Sequence, residues 1–522
     1  MGRGIEELIF FGDDIRIETF PEDTRMFYAN PPIPGVSDPR QAIRAALDYP
    51  VGAEPLGKQL NKNSTVTIAF DDPCVPIPLM RNDPRKLIIQ ELLRRLSKIG
   101  ISKNKIRLIC GNGLHRKFTL KELSAILGRK VIRKMGPDRI ECHDATLSDK
   151  LADLGSTEAG REVEINRAVR DSDITIYVNV NFTSMNGGWK SVLVGLGSWR
   201  SIRHHHTPRQ WNGVDSIMDP EKSPMHQILA EMGEKVASKC NIFQIETVMN
   251  NQVWPPMLSG LLSPIQGSAE RGAAIPYRSR LFRTAAFSPQ FMKRWVRNRL
   301  RSDYRLIAVH AGAINQIHPL TLEKVYTQQN VQVDAPVDIL IFGVPNLSPY
   351  SVFSIFNPIL LRSLVMGYLR GMYKGRPLVR ENGVIIACNP GLEKFHTAHH
   401  PSYIDFWRRD LENYADPEAC WSELAEFYAH NPEYKEKYQN ANAYHGTHVL
   451  INWMWAGMAM RHVNGVILAG ARQPEVARKI GFIPAGDLNS AIAMAREMAG
   501  KDASIGYQVI PPLFGVEVLS TS

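Results

Sequence analysis

Between Phe182 and His206 the chain reads FTSMNGGWKSVLVGLGSWRSIRHHH, which gathers two adjacent glycines, a lysine, two further glycines and three consecutive histidines. A lysine amine taken out of water becomes a nucleophile, and an imidazole can ligate a metal or carry a proton near neutrality. Gly187 and Gly188 would let the backbone approach a bound group closely. A tight turn with a solvated lysine accounts for the same letters, so the surroundings have to decide. Two other short segments carry comparable chemistry: FDDPCVPIP, with Asp71 and Asp72, and GNGLHR, with His115. The two aspartates could equally end a strand and cap a turn.

These segments share a position. The run at 173–181, DITIYVNVN, has strand character, and the glycines and lysine follow it. STVTIAF at 64–70 runs into Asp71 and Asp72, and the strand at 105–110 runs into the loop bearing His115, whose far end has capping-box spacing at Thr119 and Glu122. A helix with Pro84 in its first turn and a Leu/Ile stripe lies between the last two. Open α/β sheets hold ligands at the carboxyl ends of their strands, where all three segments fall. The second half repeats the pattern, with strands at 337–342, 383–388 and 465–470 and a buried helix from His448. The expectation is an α/β protein of two domains, 1–285 and 286–522, with largely parallel sheets facing a central cleft. The stretch 251–285 reads as apolar pieces in loop composition, and a long apolar helix is expected at about 354–372. Neither half shows GxGxxG or GxxxxGK[ST] after a strand, which argues against ordinary dinucleotide and P-loop sites.

Composition narrows the class further. With 44% apolar and 22% charged residues the chain reads as globular. Its net charge of +10 is spread mostly over helix faces, so nucleic acid is not the expected partner. The longest basic cluster, 291–305, interleaves Trp295 and Tyr304 and is the strongest polyanion candidate. Six cysteines without a CxxC signal neither zinc nor a disulfide framework, and a cytoplasmic setting is expected. No window is apolar enough for a span, and no membrane partner is expected.

Taken in order, FDDPCVPIP, GNGLHR, HDA at 143–145, NGGWKSVLVGLGS and a histidine sixteen residues beyond its lysine resemble the nickel-pincer-nucleotide lactate racemase family. VDILIFGVPN, GVIIACNPGLEKFH and GVILAGARQPEVARKIGFIPAGDLNSAIAMA extend the resemblance across about residues 60–515. It implies that Lys190 holds the cofactor covalently, a nickel-bearing pyridinium-3,5-bisthiocarboxylic acid mononucleotide, with Gly187 and Gly188 in its binding loop. It further implies that His206 ligates the nickel, that His115 is the base taking the hydroxyl proton while hydride passes to the cofactor, and that Asp72 orients His115. Cofactor-synthesis proteins would be partners. His143 is read as structural.

Three positions depart from the family pattern. Val180, beside Asn181, stands where a second catalytic histidine is expected, Val75 where an arginine would pair with the substrate carboxylate, and Asn346 where a lysine would assist from the second half. Lactate is therefore not the expected substrate. A larger hydroxy acid, a sugar acid or a polyol could be read by groups such as Asn181, Asn346, Ser348 and Tyr350, with a second acid or base from His204, His205, His310, His396 or water. The expected function is a racemase or epimerase at a hydroxyl-bearing carbon. The alternatives are a one-sided redox enzyme with the same cofactor and a cofactor-free binding or regulatory homologue.

Overall fold

The computed structural model describes residues 4–211, 216–265 and 267–519, and it builds the α/β pattern around two main sheets. In the first, the strands run in the order Leu306–Gly312, Ile242–Met249, Ile174–Asn181, Val66–Asp71, Ile106–Gly111 and Ile140–Cys142. All neighbours are parallel except the Leu306–Gly312 edge, which is antiparallel to Ile242–Met249. Ile174–Asn181 is buried at every residue, as a strand covered on both faces must be. Because Ile174–Asn181, Val66–Asp71 and Ile106–Gly111 are adjacent, the loops bearing Lys190, Asp72 and His115 leave the sheet side by side.

The helices between them start and stop where local chemistry directs. Helix Pro84–Ile99 begins with the Asp83 side chain accepting from the Arg85 N–H and ends at Gly100 in the left-handed region. The expected capping box is present: the Glu122 N–H donates to the Thr119 hydroxyl, and the Thr119 N–H donates to Glu122 Oε2 at 2.8 Å. Gly113, at φ +51°, packs so tightly that a Cβ would collide with the Val194 carbonyl. Gly113→Ala is expected to lower stability by about 1–3 kcal/mol, read from the urea midpoint, through strain in the loop that carries His115.

The second sheet runs Ile483–Ala485, Gly465–Ala469, Val379–Cys388, Val337–Pro345, Ile5–Gly12 and Asp14–Phe20, with Ile505–Gln508 and Arg25–Phe27 attached beside Val337–Pro345. Strand pairing crosses the expected boundary at 285/286 in both directions. The hairpin at 5–20 is present, but its first strand pairs with Val337–Pro345, register Phe11↔Val344, while Leu306–Gly312 closes the first sheet. Strand pairing interleaves the two halves. Two expectations change. The 251–285 stretch holds helices Pro256–Leu262 and Gly267–Ala286, and the helix expected at 354–372 is an α-helix at Pro358–Arg362 continued by wider π-turns over Ser363–Leu369. Such turns re-aim side chains and recur at functional sites.

Candidate active site

The loops at the carboxyl ends of the three adjacent strands open onto one cavity. Cys74, Val75, His115, Lys190 and His206 line it from the first half, and Tyr350, Leu364, Tyr368, Ile451, Trp455 and Leu513 close it from the second.

Asp72 is buried, and its Oδ2 lies 2.7 Å from His115 Nδ1 while its Oδ1 accepts from the Cys74 N–H at 3.0 Å. A carboxylate can only accept there, so Nδ1 carries the hydrogen and Nε2 keeps its lone pair for a substrate proton. The imidazole packs edge-on against Tyr350 and His448, with ring centres 5.1 and 5.2 Å away. Its loop is gripped from both halves: the Gly113 carbonyl accepts from the Tyr438 hydroxyl at 2.7 Å, and the Leu114 carbonyl from the His445 N–H at 3.1 Å. Asp72, Cys74 and His115 also place donor atoms within 4.8 Å of one another. Burial and Asp72 push the Cys74 thiol up, and the 2.7 Å contact of Asp72 with His115 Nδ1 gives the trio the geometry of an oriented base.

Sequence reasoning missed what holds the aspartate loop. Arg85, fully buried, donates to the Asp71 and Asp72 carbonyls at 2.8 Å each while its other nitrogens pair with Asp83 at 2.9 and 2.6 Å. Its place inside an amphipathic helix hid that role. Arg85→Met leaves Asp83 as a buried unpaired anion and frees two carbonyls. It should cost about 3–5 kcal/mol in a urea titration.

Lys190 lies in the first turn of helix Gly188–Gly195. Burial lowers its pKa, only partly offset by Asp71 and Asp72, which enlarges the neutral, nucleophilic fraction of the amine. Gly187 and Gly188 adopt positive φ, +88° and +57°, but neither lines the cavity. A Cβ on either would run into His318, and the Gly188 N–H donates to Glu246 Oε1 at 2.7 Å. Burial drives Glu246 up, and His318 with the Gly188 N–H more than reverses it, so Glu246 stays ionised and pins the turn that presents Lys190. The glycines thus shape the turn from behind. Asp71 stands under the same turn, raised to about 6 by burial, and accepts from the Val180 N–H and Asn179 Nδ2 at 2.7 Å each.

His206 follows helix Trp199–Ile202 and is held near a pKa of about 3 by burial and by the charges of Lys190 and His115. It is neutral at physiological pH, the form a metal needs. His205 Nδ1 lies 2.6 Å from His206 Nδ1, and His205 Nε2 is buried without a hydrogen-bond partner among the described residues. If His206 donates in that pair, its Nε2 is left as the ligand atom and His205 fixes the ring, as partners of metal-bound histidines do. An anchor amine and a neutral imidazole facing one cavity fit the covalent attachment and the metal of a nickel-pincer nucleotide.

The other candidates lie elsewhere. His204 accepts from the Glu162 N–H at 3.1 Å, and neither His310 nor His396 lines the cavity. Val180 and Asn181 are buried in the sheet, Asn181 Nδ2 donating to the Thr247 carbonyl at 3.3 Å. Asn346 is bound to Asp13 and Asn389 at 3.1 Å each, outside the cavity. Val75 and Tyr350 do line it, and the Tyr350 and Tyr368 hydroxyls are 2.6 Å apart. His448, not singled out from sequence because it opens an apolar helix, packs on His115 and bonds the Tyr403 hydroxyl at 2.7 Å.

His143 has both ring nitrogens engaged, with the Gly197 carbonyl and Asn166 Nδ2 at 3.0 Å each, and burial lowers it to about 4. His445 is lowered to about 3 for the same reason. Both fold neutral, whereas the unfolded chain takes up their protons below about pH 6.5. Stability should therefore fall as pH drops from 6.5 toward 4, by about 2 kcal/mol per histidine at pH 5. Urea titrations across that range check this, and His143→Gln should flatten the slope.

Residues 12–213 match the family model described as the lactate racemase N-terminal domain. The chain is 26% identical over 172 residues to the lactate racemase of Lactiplantibacillus plantarum, covering 32% of this chain and 38% of that one. It is 24% identical over 168 residues to the lactate racemase of Thermoanaerobacterium thermosaccharolyticum, covering 31% and 37%. The alignments thus span little more than a third of either relative. The structure of the lactate racemase apoprotein from the latter organism superposes with a TM-score of 0.63 at 16% identity, over 98% of this chain and 100% of that one, a likeness of fold.

Proposed function

For a divergent lactate racemase-like protein, with that family's N-terminal domain over residues 12–213, we propose a racemase or epimerase that inverts a hydroxyl-bearing carbon using a nickel-pincer nucleotide attached at Lys190. The observation that carries this reading is the convergence of Lys190, His206 and the Asp72-held His115 on one cavity. When bound, the nucleotide supplies reversible hydride storage. His115 Nε2 takes the hydroxyl proton and returns it, and Asp72 keeps the ring in the tautomer that can do so. Lys190 and His206 would hold the group, and the aromatic and aliphatic wall excludes water from it.

The same wall supports a substrate other than lactate. Among the described residues Lys190 is the one Lys or Arg in the lining, and Val75, Ile77, Met218, Leu364 and Trp455 present apolar surface. Every hydroxy acid brings a carboxylate, and with Lys190 carrying the cofactor the lining offers it no other Lys or Arg among the described residues, at a cost on the order of several kcal/mol; burial of a bulky apolar side chain offsets part of that cost, which a methyl group does far less. This favours a 2-hydroxy acid with a branched or aromatic side chain over lactate, and over a sugar acid or polyol, whose hydroxyls would be buried against apolar surface. The loaded protein, given single enantiomers and followed by chiral chromatography, is expected to invert such acids at least about tenfold faster than lactate, the factor that about 1.4 kcal/mol of burial gives. Equal or faster turnover of lactate would overturn the substrate assignment.

A second reading has its own observation. Among the described residues His115 and His206 are the two imidazoles in the lining, and His206 is committed to the metal, which leaves one base. A one-sided oxidation would then yield keto product in stoichiometric amount. The same chromatograms decide, since inversion without net keto acid rules that reading out.

A further inference from the structure

The most unusual surface of the molecule lies away from the Lys190 cavity. Seven of the thirteen large apolar side chains exposed among the described residues fall between 257 and 296, including Met257 at 94%, Phe287 at 89%, Phe291 at 71% and Trp295 at 57% exposure. Met257 lies on helix Pro256–Leu262, and the other six ride on a helical hairpin, Gly267–Ala286 and Gln290–Arg299, that turns at Ser288 and Pro289. Phe291 and Trp295 are four residues apart, as are Met292 and Val296, so they form one stripe. From 277 to 302 the sequence has eight Lys or Arg and no Asp or Glu. Lys293 and Arg297 tie the hairpin to the body through Asp14 and Asp13, at 2.5 and 2.6 Å. No ion pair among the described residues engages Arg280, Arg283, Arg294 or Arg299.

Beneath the hairpin runs an apolar channel, roofed by Phe282, Ala285, Met292 and Val296. Ile77, Leu364, Leu369 and Leu513 line both this channel and the Lys190 cavity, so the two abut. Exposed aromatics among unpaired arginines, above a greasy passage, match the surface of a helix that lies in a lipid headgroup layer. Nucleic acid fits less well. Tyr304, which the sequence interleaves with the basic residues, is buried with its hydroxyl on the Ile77 carbonyl, so no aromatic platform for bases forms. A second copy would bring like charges face to face.

We propose that the 267–299 hairpin seats this protein on an anionic lipid bilayer, with the channel beneath it leading from that surface toward the Lys190 cavity. The expectation of no membrane partner rested on the lack of a spanning segment, and among the described residues no helix is long and apolar enough to cross a bilayer. Lying in the interface needs none.

The test uses the full chain, with no cofactor required, so its outcome is independent of the reaction proposed at Lys190. Protein is co-sedimented with vesicles of phosphatidylcholine alone and with vesicles containing phosphatidylglycerol. Binding at least about tenfold tighter to the anionic vesicles, weakened by salt, is expected from arginines worth about 1 kcal/mol each near such a surface. Arg280→Glu/Arg283→Glu and Phe291→Ser/Trp295→Ser should each remove about tenfold or more of that binding, and their melting temperatures and sedimentation coefficients confirm that they fold. A wild-type protein that stays in the supernatant, binding that the folded double variants retain in full, tighter binding to duplex DNA, or a dimer in sedimentation velocity that both double variants abolish would each overturn the proposal.

Discussion

Lys190→Ala protein, co-expressed with cofactor-synthesis proteins, is expected to show the unmodified intact mass and no bound nickel, while the wild type carries an adduct and the metal. The amine is the one nucleophilic nitrogen in the chamber that can form a stable acyl linkage, and burial keeps more of it unprotonated than at a surface lysine. His206→Ala separates the two roles. It should keep the covalent mass and lose nickel, because the imidazole ligates without anchoring. An alanine variant at 190 that is fully loaded and active would refute the anchor. A folded wild type with no adduct, beside a related enzyme loaded in the same cells, would favour a cofactor-free homologue.

The second large effect concerns proton transfer. Asp72→Asn should lower kcat by about 10²–10⁴ while leaving adduct mass and nickel content unchanged. The amide NH2 would face His115 Nδ1 in place of an acceptor, which forces the hydrogen onto Nε2 and removes the lone pair from the substrate side. Asp72→Glu keeps the acceptor and should recover part of the rate. If activity fell only in step with lost cofactor, Asp72 would be a scaffold residue and not the orienter of a base.

Much of this was legible because α/β chains write their sites at strand ends. The runs at 64–70, 105–110 and 173–181 are buried, parallel neighbours, and the loops after them hold Asp72, His115 and Lys190 together. His206 was reached through the family resemblance, whose pattern has a histidine sixteen residues beyond the lysine. Long-range pairing was not legible: the hairpin at 5–20 joins a strand more than 300 residues away, and nothing local in either segment encodes that partner. Nor were the supports. Arg85 sits on an ordinary amphipathic helix, and Glu246 and His318 come from a strand and a helix that show no motif. The two glycines illustrate the limit: their conformational need was correctly expected, but the side they face was not, because positive φ says nothing about which neighbour fills the space.

The interleaving of the sheets bears on when the site comes into being. Val337–Pro345 supplies the partner for the first strand of the chain, and the cavity wall runs from Cys74 to Leu513. Closing contacts over such separations loses chain entropy before it gains packing, so they form late in folding. A chain that lacked its last residues would carry Lys190 without the Leu513 part of the wall, leaving its amine more exposed to water. A cofactor attached at Lys190, as proposed above, would then have to await the closed wall, and the fold itself would act as the check on assembly.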